Sequence, residues 1–140
     1  MKAVKNTRRA KVRVTFDGRI VKEFRGTQAR ERFENEVLVL RYLEKRACPF
    51  VPRVLKVDEE KLILTTTSCG SKVEHLSKEK MEGLFAELEE YGVRHEDIAQ
   101  RNVTYRQADG RFCLIDFEFA TLLEEPGHVS PKPFPDENEA

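Results

Sequence analysis

The chain has 140 residues, which is enough for one domain or two small lobes and too few for several independent domains. Its 25 basic and 25 acidic side chains give a formal net charge of zero, which disfavours a protein that coats nucleic acid or an acidic membrane. No apolar run approaches the length of a membrane span, and the three cysteines show neither disulfide nor zinc spacing. The sequence therefore predicts a cytoplasmic protein without a membrane partner.

Two hairpins are predicted in the first half of the chain. Residues 11–16 and 19–24 flank an Asp-Gly pair that is typical of a two-residue turn. Residues 53–57 and 61–66 predict the second hairpin. The basic stretch that opens the chain predicts a solvated terminus, because runs of like charge are usually exposed, and nucleic-acid binding through it is the disfavoured alternative.

Two helices are predicted from apolar side chains that recur every three or four residues. The first is expected to be capped by Thr27 and to run to about Arg46, with an apolar stripe formed by Phe33, Val37, Leu40 and Leu43. The second is expected to be capped by Ser77 and to stop at Gly92. Small residues at 68–71 interrupt both periodicities and predict a linker. The order of hairpins and helices predicts an α+β fold in two halves.

Two charged side chains fall on apolar faces of predicted elements. Lys22 lies between Ile20 and Phe24 on one face of a strand, and Glu36 lies on the apolar stripe of the first helix. A buried charge without a partner is costly, so we expect Lys22 and Glu36 to form an ion pair. The alternative is that one or both reach the solvent at the rim of the core.

A third hairpin, predicted between residues 103 and 115, brings polar side chains together. Asn102 and Asp116 stand just outside its open end, and Asp97 lies on the preceding loop. Converging carboxylate and amide oxygens suit a hard cation such as Mg²⁺. Ordinary loop formation, in which each side chain bonds to its own backbone, is the alternative.

Four segments of the chain resemble, in order, motifs of the protein-kinase-like superfamily. Residues 95–102 match its H-x-D-x-x-x-x-N catalytic loop, and residues 114–118 resemble its metal-binding D-F-G segment. Residues 19–22 resemble the V-A-I-K strand, and residues 33–40 resemble the helix that supplies the pairing Glu.

The resemblance covers residues 11 to about 121 and implies a shortened, two-lobed protein-kinase-like fold. Residues 1–67 would form a β-rich N-lobe with one helix, and residues 68–123 a reduced C-lobe with the catalytic loop. Residues 124–140 are expected to be an extended or disordered tail. Because later helices of the family have no counterpart here, exposed apolar surface is expected, which a second copy or another partner could cover.

The resemblance also implies ATP and Mg²⁺ as cofactors. Lys22, fixed by Glu36, would bind the α- and β-phosphates. Asp97 would accept or orient the proton of the acceptor hydroxyl, while Asn102 and Asp116 would hold Mg²⁺. These five residues form the centre of the candidate site, with Arg101 as a further catalytic candidate and Arg8 and Arg9 as further nucleotide-binding candidates.

Departures from the family pattern surround the expected phosphates. No glycine-rich loop precedes the lysine, so either the phosphates are left uncovered or Arg8 and Arg9 supply charge there. Arg101 matches an Arg that tyrosine kinases carry near the γ-phosphate. Glu118 replaces the Gly of D-F-G, as in choline- and aminoglycoside-type small-molecule kinases.

The sequence therefore favours a Mg²⁺-ATP-dependent phosphotransferase that resembles Ser/Thr/Tyr protein kinases. One alternative is a pseudokinase or nucleotide-binding regulatory module. A second alternative is a small-molecule kinase of the choline or aminoglycoside type. The phosphate acceptor, a protein or a small molecule, is left open.

Overall fold

The computed structural model describes residues 2–132, with side chains from residue 6 onward. Its N-terminal half contains five strands: β1 (Lys2–Asn6), β2 (Ala10–Val14), β3 (Ile20–Phe24), β4 (Val54–Asp58) and β5 (Ile63–Thr66). They form one antiparallel sheet in the order β1-β2-β3-β5-β4. The predicted α+β class is confirmed.

Strand β1 and the loop after β2 differ from the sequence prediction. The basic opening stretch was expected to be a solvated terminus, yet its backbone pairs with β2 over Lys2–Asn6. The two-residue turn is wrong, because Val14 pairs with Ile20 and residues 15–19 form a longer loop. Thr15 explains the longer loop, since its backbone N–H bonds to the Arg19 carbonyl at 2.8 Å and its hydroxyl accepts the Arg19 N–H at 2.9 Å.

Helix α1 (Ala29–Lys45) follows β3 and buries the predicted apolar stripe of Phe33, Val37, Leu40 and Leu43. The predicted Thr27 cap is wrong. The helix begins after Gln28, whose φ is 58° and whose side chain makes no cap. The Thr27 carbonyl instead accepts a bond from Arg32 Nε at 2.9 Å, so a buried guanidinium fixes the chain entering the helix.

The C-terminal half combines one helix with short strands. Its elements are β6 (Ser71–Lys72), α2 (Lys78–Glu90), β7 (Val93–Arg94), β8 (Val103–Arg106), β9 (Arg111–Leu114) and β10 (Thr121–Leu122). The third hairpin is confirmed as β8–β9, and β6 pairs with the outer side of β8. The predicted cap of α2 is also confirmed, since Ser77 Oγ accepts the N–H of Lys80 at 3.1 Å.

Strands β7 and β10 pair with each other, which the sequence did not predict, and this pairing returns the chain to the loop of residues 95–102. Thr121 lies opposite Arg94 in this pair, and its hydroxyl donates to Glu96 Oε2 at 2.6 Å. The chain after Asp116 is thereby folded back. Beyond it, residues expected to be extended or disordered contact α1: the Tyr42 hydroxyl donates to Glu124 Oε1 at 2.8 Å, and His128 Nε2 lies 2.8 Å from Asn35 Oδ1.

One hydrophobic core joins the two halves. Phe33, Leu43 and Phe50 belong to the same buried cluster as Leu88 and Phe117. A backbone bond from Leu114 N to the Phe50 carbonyl, 2.9 Å long, reinforces the contact. Within residues 2–132, neither helix combines the length and apolar character needed to cross a membrane.

Candidate active site

Lys22 is the centre of a buried ionic cluster. It projects from β3, and its residue is only 6% exposed. Its Nζ donates to Glu36 Oε1 at 2.8 Å, Asp116 Oδ1 at 3.1 Å and Glu118 Oε2 at 3.3 Å. An ammonium has three N–H donors, so three carboxylates match its capacity. The predicted Lys22–Glu36 ion pair is confirmed.

The cluster shifts the proton affinities of its members. Burial alone would lower the pKa of the Lys22 ammonium, but Asp116, Glu118 and Glu36 together raise it well above its usual value. Burial raises the pKa of the Glu36 carboxyl, because attraction to Lys22 offsets only part of the desolvation. The pKa of Glu118 is lowered in spite of burial, since both Lys22 and Arg32 stabilise its charged form.

Glu36, Asp116 and Glu118 also satisfy the geometry of a cation site. Each offers an oxygen, and these oxygens lie within 4.8 Å of one another. The ammonium of Lys22 is the positive charge that they share in this structure. A lysine charge thus takes the place that a metal ion takes in many acidic clusters.

Arg32 and Glu118 extend the cluster, and sequence reasoning missed their pairing. Arg32 Nη1 donates to Glu118 Oε1 at 2.9 Å, with the two residues 1% and 6% exposed. The available signal was spacing: Arg32 precedes Glu36 by four residues, which places both on one face of α1. A second charge on an apolar helical face predicts a second buried partner.

Asp116 and Asn102 lie at the open end of the β8–β9 hairpin, as the topology requires. The Ile115 N–H donates to the Asn102 carbonyl at 3.0 Å, one residue beyond the Val103–Leu114 pair. Asp116 itself has a φ of 64°, a left-handed conformation that costs a non-glycine residue about 1–3 kcal/mol and is concentrated at functional sites. Glu36 reaches the same place, because its Oε2 accepts the N–H of Phe117 at 3.0 Å.

Asp97 is held by its own loop and is half-buried. Arg101 Nη2 lies 2.8 and 2.7 Å from the two Asp97 carboxylate oxygens. Asn102 Nδ2 donates to the Asp97 carbonyl at 2.9 Å and to Oδ2 at 3.1 Å. The contacts fix the direction of the Asp97 carboxylate, which the side chain's 34% exposure leaves partly accessible.

His95 supports this loop from the core. Its ring lies 5.1 Å from that of Phe85 and 4.9 Å from that of Phe117. Nε2 is 2.8 Å from the Ile115 carbonyl, and Nδ1 accepts the Asp97 N–H at 3.3 Å, so a neutral imidazole satisfies both bonds. Burial lowers the pKa of His95, consistent with this neutral form.

Arg8 and Arg9, which could supply charge near the phosphates, differ in their surroundings. Arg8 is exposed at the β1–β2 turn. Arg9 lies with its guanidinium carbon 5.4 Å from the centre of the Phe119 ring, so it contacts the segment that follows Asp116. A cavity of about 870 Å³ lies elsewhere, between α1 and residues 122–128, and none of the candidate site residues lines it.

The oxygens of Asn102 and Asp116, an amide oxygen and a carboxylate, are of the kind that a hard cation such as Mg²⁺ prefers. The Asn102 Nδ2 atom bonds to Asp97, which leaves the amide oxygen as the atom that could bind a cation. The carboxylates that the structure brings close to one another are those of Glu36, Asp116 and Glu118. Asp116 retains 29% side-chain exposure, so solvent and ions reach it. No protein-family model and no curated protein matches this chain.

Proposed function

We propose that the chain is a Mg²⁺-ATP-dependent phosphotransferase of the protein-kinase-like superfamily. One observation carries the proposal: the ammonium of Lys22, on β3, lies within 3.1 Å of carboxylate oxygens of Glu36, on α1, and Asp116, just after β9. These two contacts join residues that are 14 and 94 positions apart in the sequence. A buried charge cluster gives a scaffold little stability, which favours a chemical role.

In the proposed phosphoryl transfer, different residues bind the nucleotide and the metal ion. Lys22, oriented by Glu36, binds the phosphates of the nucleotide. Asn102 and Asp116 would hold Mg²⁺, which when bound supplies positive charge against the charge that develops on the phosphate oxygens. Positioning and electrostatics make up most of the catalysis of phosphoryl transfer, so these fixed charges are the main contribution of the protein.

Asp97 acts on the acceptor. Its carboxylate accepts or orients the proton of the acceptor hydroxyl, as general-base catalysis requires. Arg101 contacts both oxygens of that carboxylate and, with a side chain 56% exposed, can also turn towards a phosphate. The partly exposed Asp97 suits an acceptor that approaches from solvent, either a protein side chain or a small alcohol.

A nucleotide-binding regulatory module is the second candidate, and the β1–β2 turn favours it. The Thr7 hydroxyl accepts the N–H groups of Arg9 and Ala10, each at 3.2 Å. In a glycine-rich loop such N–H groups would face the phosphates. A protein that binds nucleotide without transferring phosphate has less need of them.

The test compares Asp116→Ala, Asp97→Asn and the control Asp109→Asn, an exposed carboxylate that pairs with Arg106 in the same hairpin. Nucleotide binding is measured by calorimetry with and without Mg²⁺, and transfer with γ-labelled ATP. We expect Asp116→Ala to lose Mg²⁺-dependent binding. Asp97→Asn should keep binding and lose transfer by about 10²- to 10⁴-fold.

Two outcomes would contradict the proposal. Equal transfer by the wild type and Asp97→Asn would remove the enzymatic role. Binding of Mg²⁺-ATP without transfer to any protein or small alcohol would favour the regulatory module. Asp109→Asn should behave as the wild type in both assays, because its carboxylate lies at the closed end of the hairpin.

A further inference from the structure

Arg32 and Glu118 form a buried ion pair to which the proposed chemistry gives no role. Glu118 uses both carboxylate oxygens, with Oε1 2.9 Å from Arg32 and Oε2 3.3 Å from Lys22. It therefore links a guanidinium to the ammonium expected to bind phosphate. A carboxylate that bridges two cations in this way cannot rotate freely, so Glu118 restrains both side chains and is restrained by them.

Arg32 in turn donates to three backbone carbonyls, one at the β1–β2 turn and two in the segment that enters α1. Its Nη1 donates to the Arg9 carbonyl at 3.3 Å, Nη2 to the Arg25 carbonyl at 2.6 Å, and Nε to the Thr27 carbonyl at 2.9 Å. The Arg25 N–H also donates to the Arg9 carbonyl, at 2.9 Å. One guanidinium thus fastens the β1–β2 turn to the start of α1 and to Glu118.

The carboxylates around the Lys22 ammonium show why this side chain needs a second fixed partner besides Glu36. Three carboxylates now occupy the three N–H donors of its ammonium. Once Asp116 binds a cation and Lys22 binds a phosphate, Asp116 is no longer available to hold the ammonium. Glu36 and Glu118 then remain as two anchors on a long, flexible side chain.

We propose that Arg32 and Glu118 are positioning residues. Glu118 orients Lys22 towards the phosphates, and Arg32 holds both Glu118 and the β1–β2 turn in place. This pair takes the part that a glycine-rich loop would otherwise play in fixing the phosphate site. The inference rests on the proposed function, because it assigns these residues to the same nucleotide site.

The main test is Glu118→Gln, which keeps the shape of the side chain and removes its charge. In the ligand-free protein, the rate at which an amine-reactive acylating reagent modifies Lys22 is measured by peptide mass spectrometry at pH 9. Losing one of its three charged hydrogen-bond partners loosens the Lys22 side chain and makes its amine more accessible to the reagent. We expect acylation of Lys22, measured relative to that of exposed Lys56 in the same sample, to accelerate by about tenfold, as the loss of one hydrogen bond to a charged group implies.

The second readout is the Michaelis constant for ATP, measured well below the unfolding midpoint of each variant. Loosening a group that binds the phosphates weakens the binding of ATP and so raises its KM. The hydrogen bonds of a charged group are each worth about 1.5–3 kcal/mol, so we expect KM to rise by about 10- to 100-fold in Glu118→Gln. The rise should be smaller in Arg32→Lys, which keeps the charge. The matched control is Glu124→Gln, which removes an ion pair with Arg46 away from the cluster.

The outcomes separate this inference from the proposed function. Unchanged Lys22 acylation and unchanged KM in Glu118→Gln, with an active wild type, would overturn the positioning role alone. A folded wild type that fails to bind Mg²⁺-ATP would overturn both and would assign the pair to stability. If Glu118→Gln does not fold, Glu118→Asp keeps the charge but shortens the side chain, and it should show both effects at smaller size.

Discussion

Replacing Lys22 with Met tests whether the ammonium holds the buried carboxylates together. The substitution leaves the oxygens of Glu36, Asp116 and Glu118 within 4.8 Å of one another without their shared cation. At that distance and an effective dielectric constant of about 20, each pair of charges repels by about 3 kcal/mol. The cluster can relieve this by taking up protons, so we expect a loss of about 3–5 kcal/mol at pH 7, typical of a broken buried ion pair.

The loss should depend on pH in a defined direction. Without Lys22 the charged forms of these carboxyls lose their shared counter-ion and repel one another, so the folded protein takes up protons at a pH where the unfolded chain does not. The free energy of unfolding of Lys22→Met should therefore approach that of the wild type as pH falls from 7 to 5. Urea unfolding at both pH values measures this difference.

Two further variants make the test specific. Lys56→Met, an exposed lysine of β4, should change the free energy of unfolding by no more than about 0.5 kcal/mol. Adding Glu118→Gln to Lys22→Met should recover part of the loss, because it removes one of the repelling charges. A Lys22→Met protein as stable as Lys56→Met, or a loss that is the same at pH 7 and pH 5, would refute the reasoning.

Two predictions concern other parts of the fold. Burial lowers the pKa of His95, so the contribution of this histidine to stability is fully present above about pH 6.5 and declines below that pH by up to about 1.4 kcal/mol per pH unit. Urea unfolding at several pH values should show a smaller decline in His95→Gln than in the wild type. An equal decline in the two proteins would contradict this account. Ser77→Ala removes the acceptor for the Lys80 N–H and should cost about 1 kcal/mol, measured by thermal unfolding, whereas no loss would mean that solvent replaces the cap.

The parts of the fold that were predicted correctly are specified by residues close to one another in the sequence. The apolar stripe of α1, the Ser77 cap and the β8–β9 hairpin are each specified within a few residues. The Lys22–Glu36 ion pair was also predictable, because each residue falls on an apolar face and a buried charge requires a partner. The closeness of Asn102 and Asp116 along the backbone was predictable from topology, since the two residues flank the open end of one hairpin.

The errors concern contacts that no local pattern specifies. Thr27 is a good capping residue, but the helix start is fixed by Arg32, whose side chain bonds to the incoming carbonyls. The Asp-Gly pair favours a short turn, yet Thr15 closes a longer loop through its own hydroxyl and backbone. In both places a side-chain bond to the backbone overrides the general preference.

What the sequence alone determined was the two helices, the longer hairpins and the charges that had to find partners, because periodicity and the cost of burying a charge act on any fold. Which partners they found was decided by the tertiary structure. Glu118 meets Arg32 across 86 positions and Lys22 across 96, and such contacts exist only once one core has packed α1, β3 and the end of β9 together. Packing, rather than any local preference, therefore turned a predicted ion pair into a cluster of five charges.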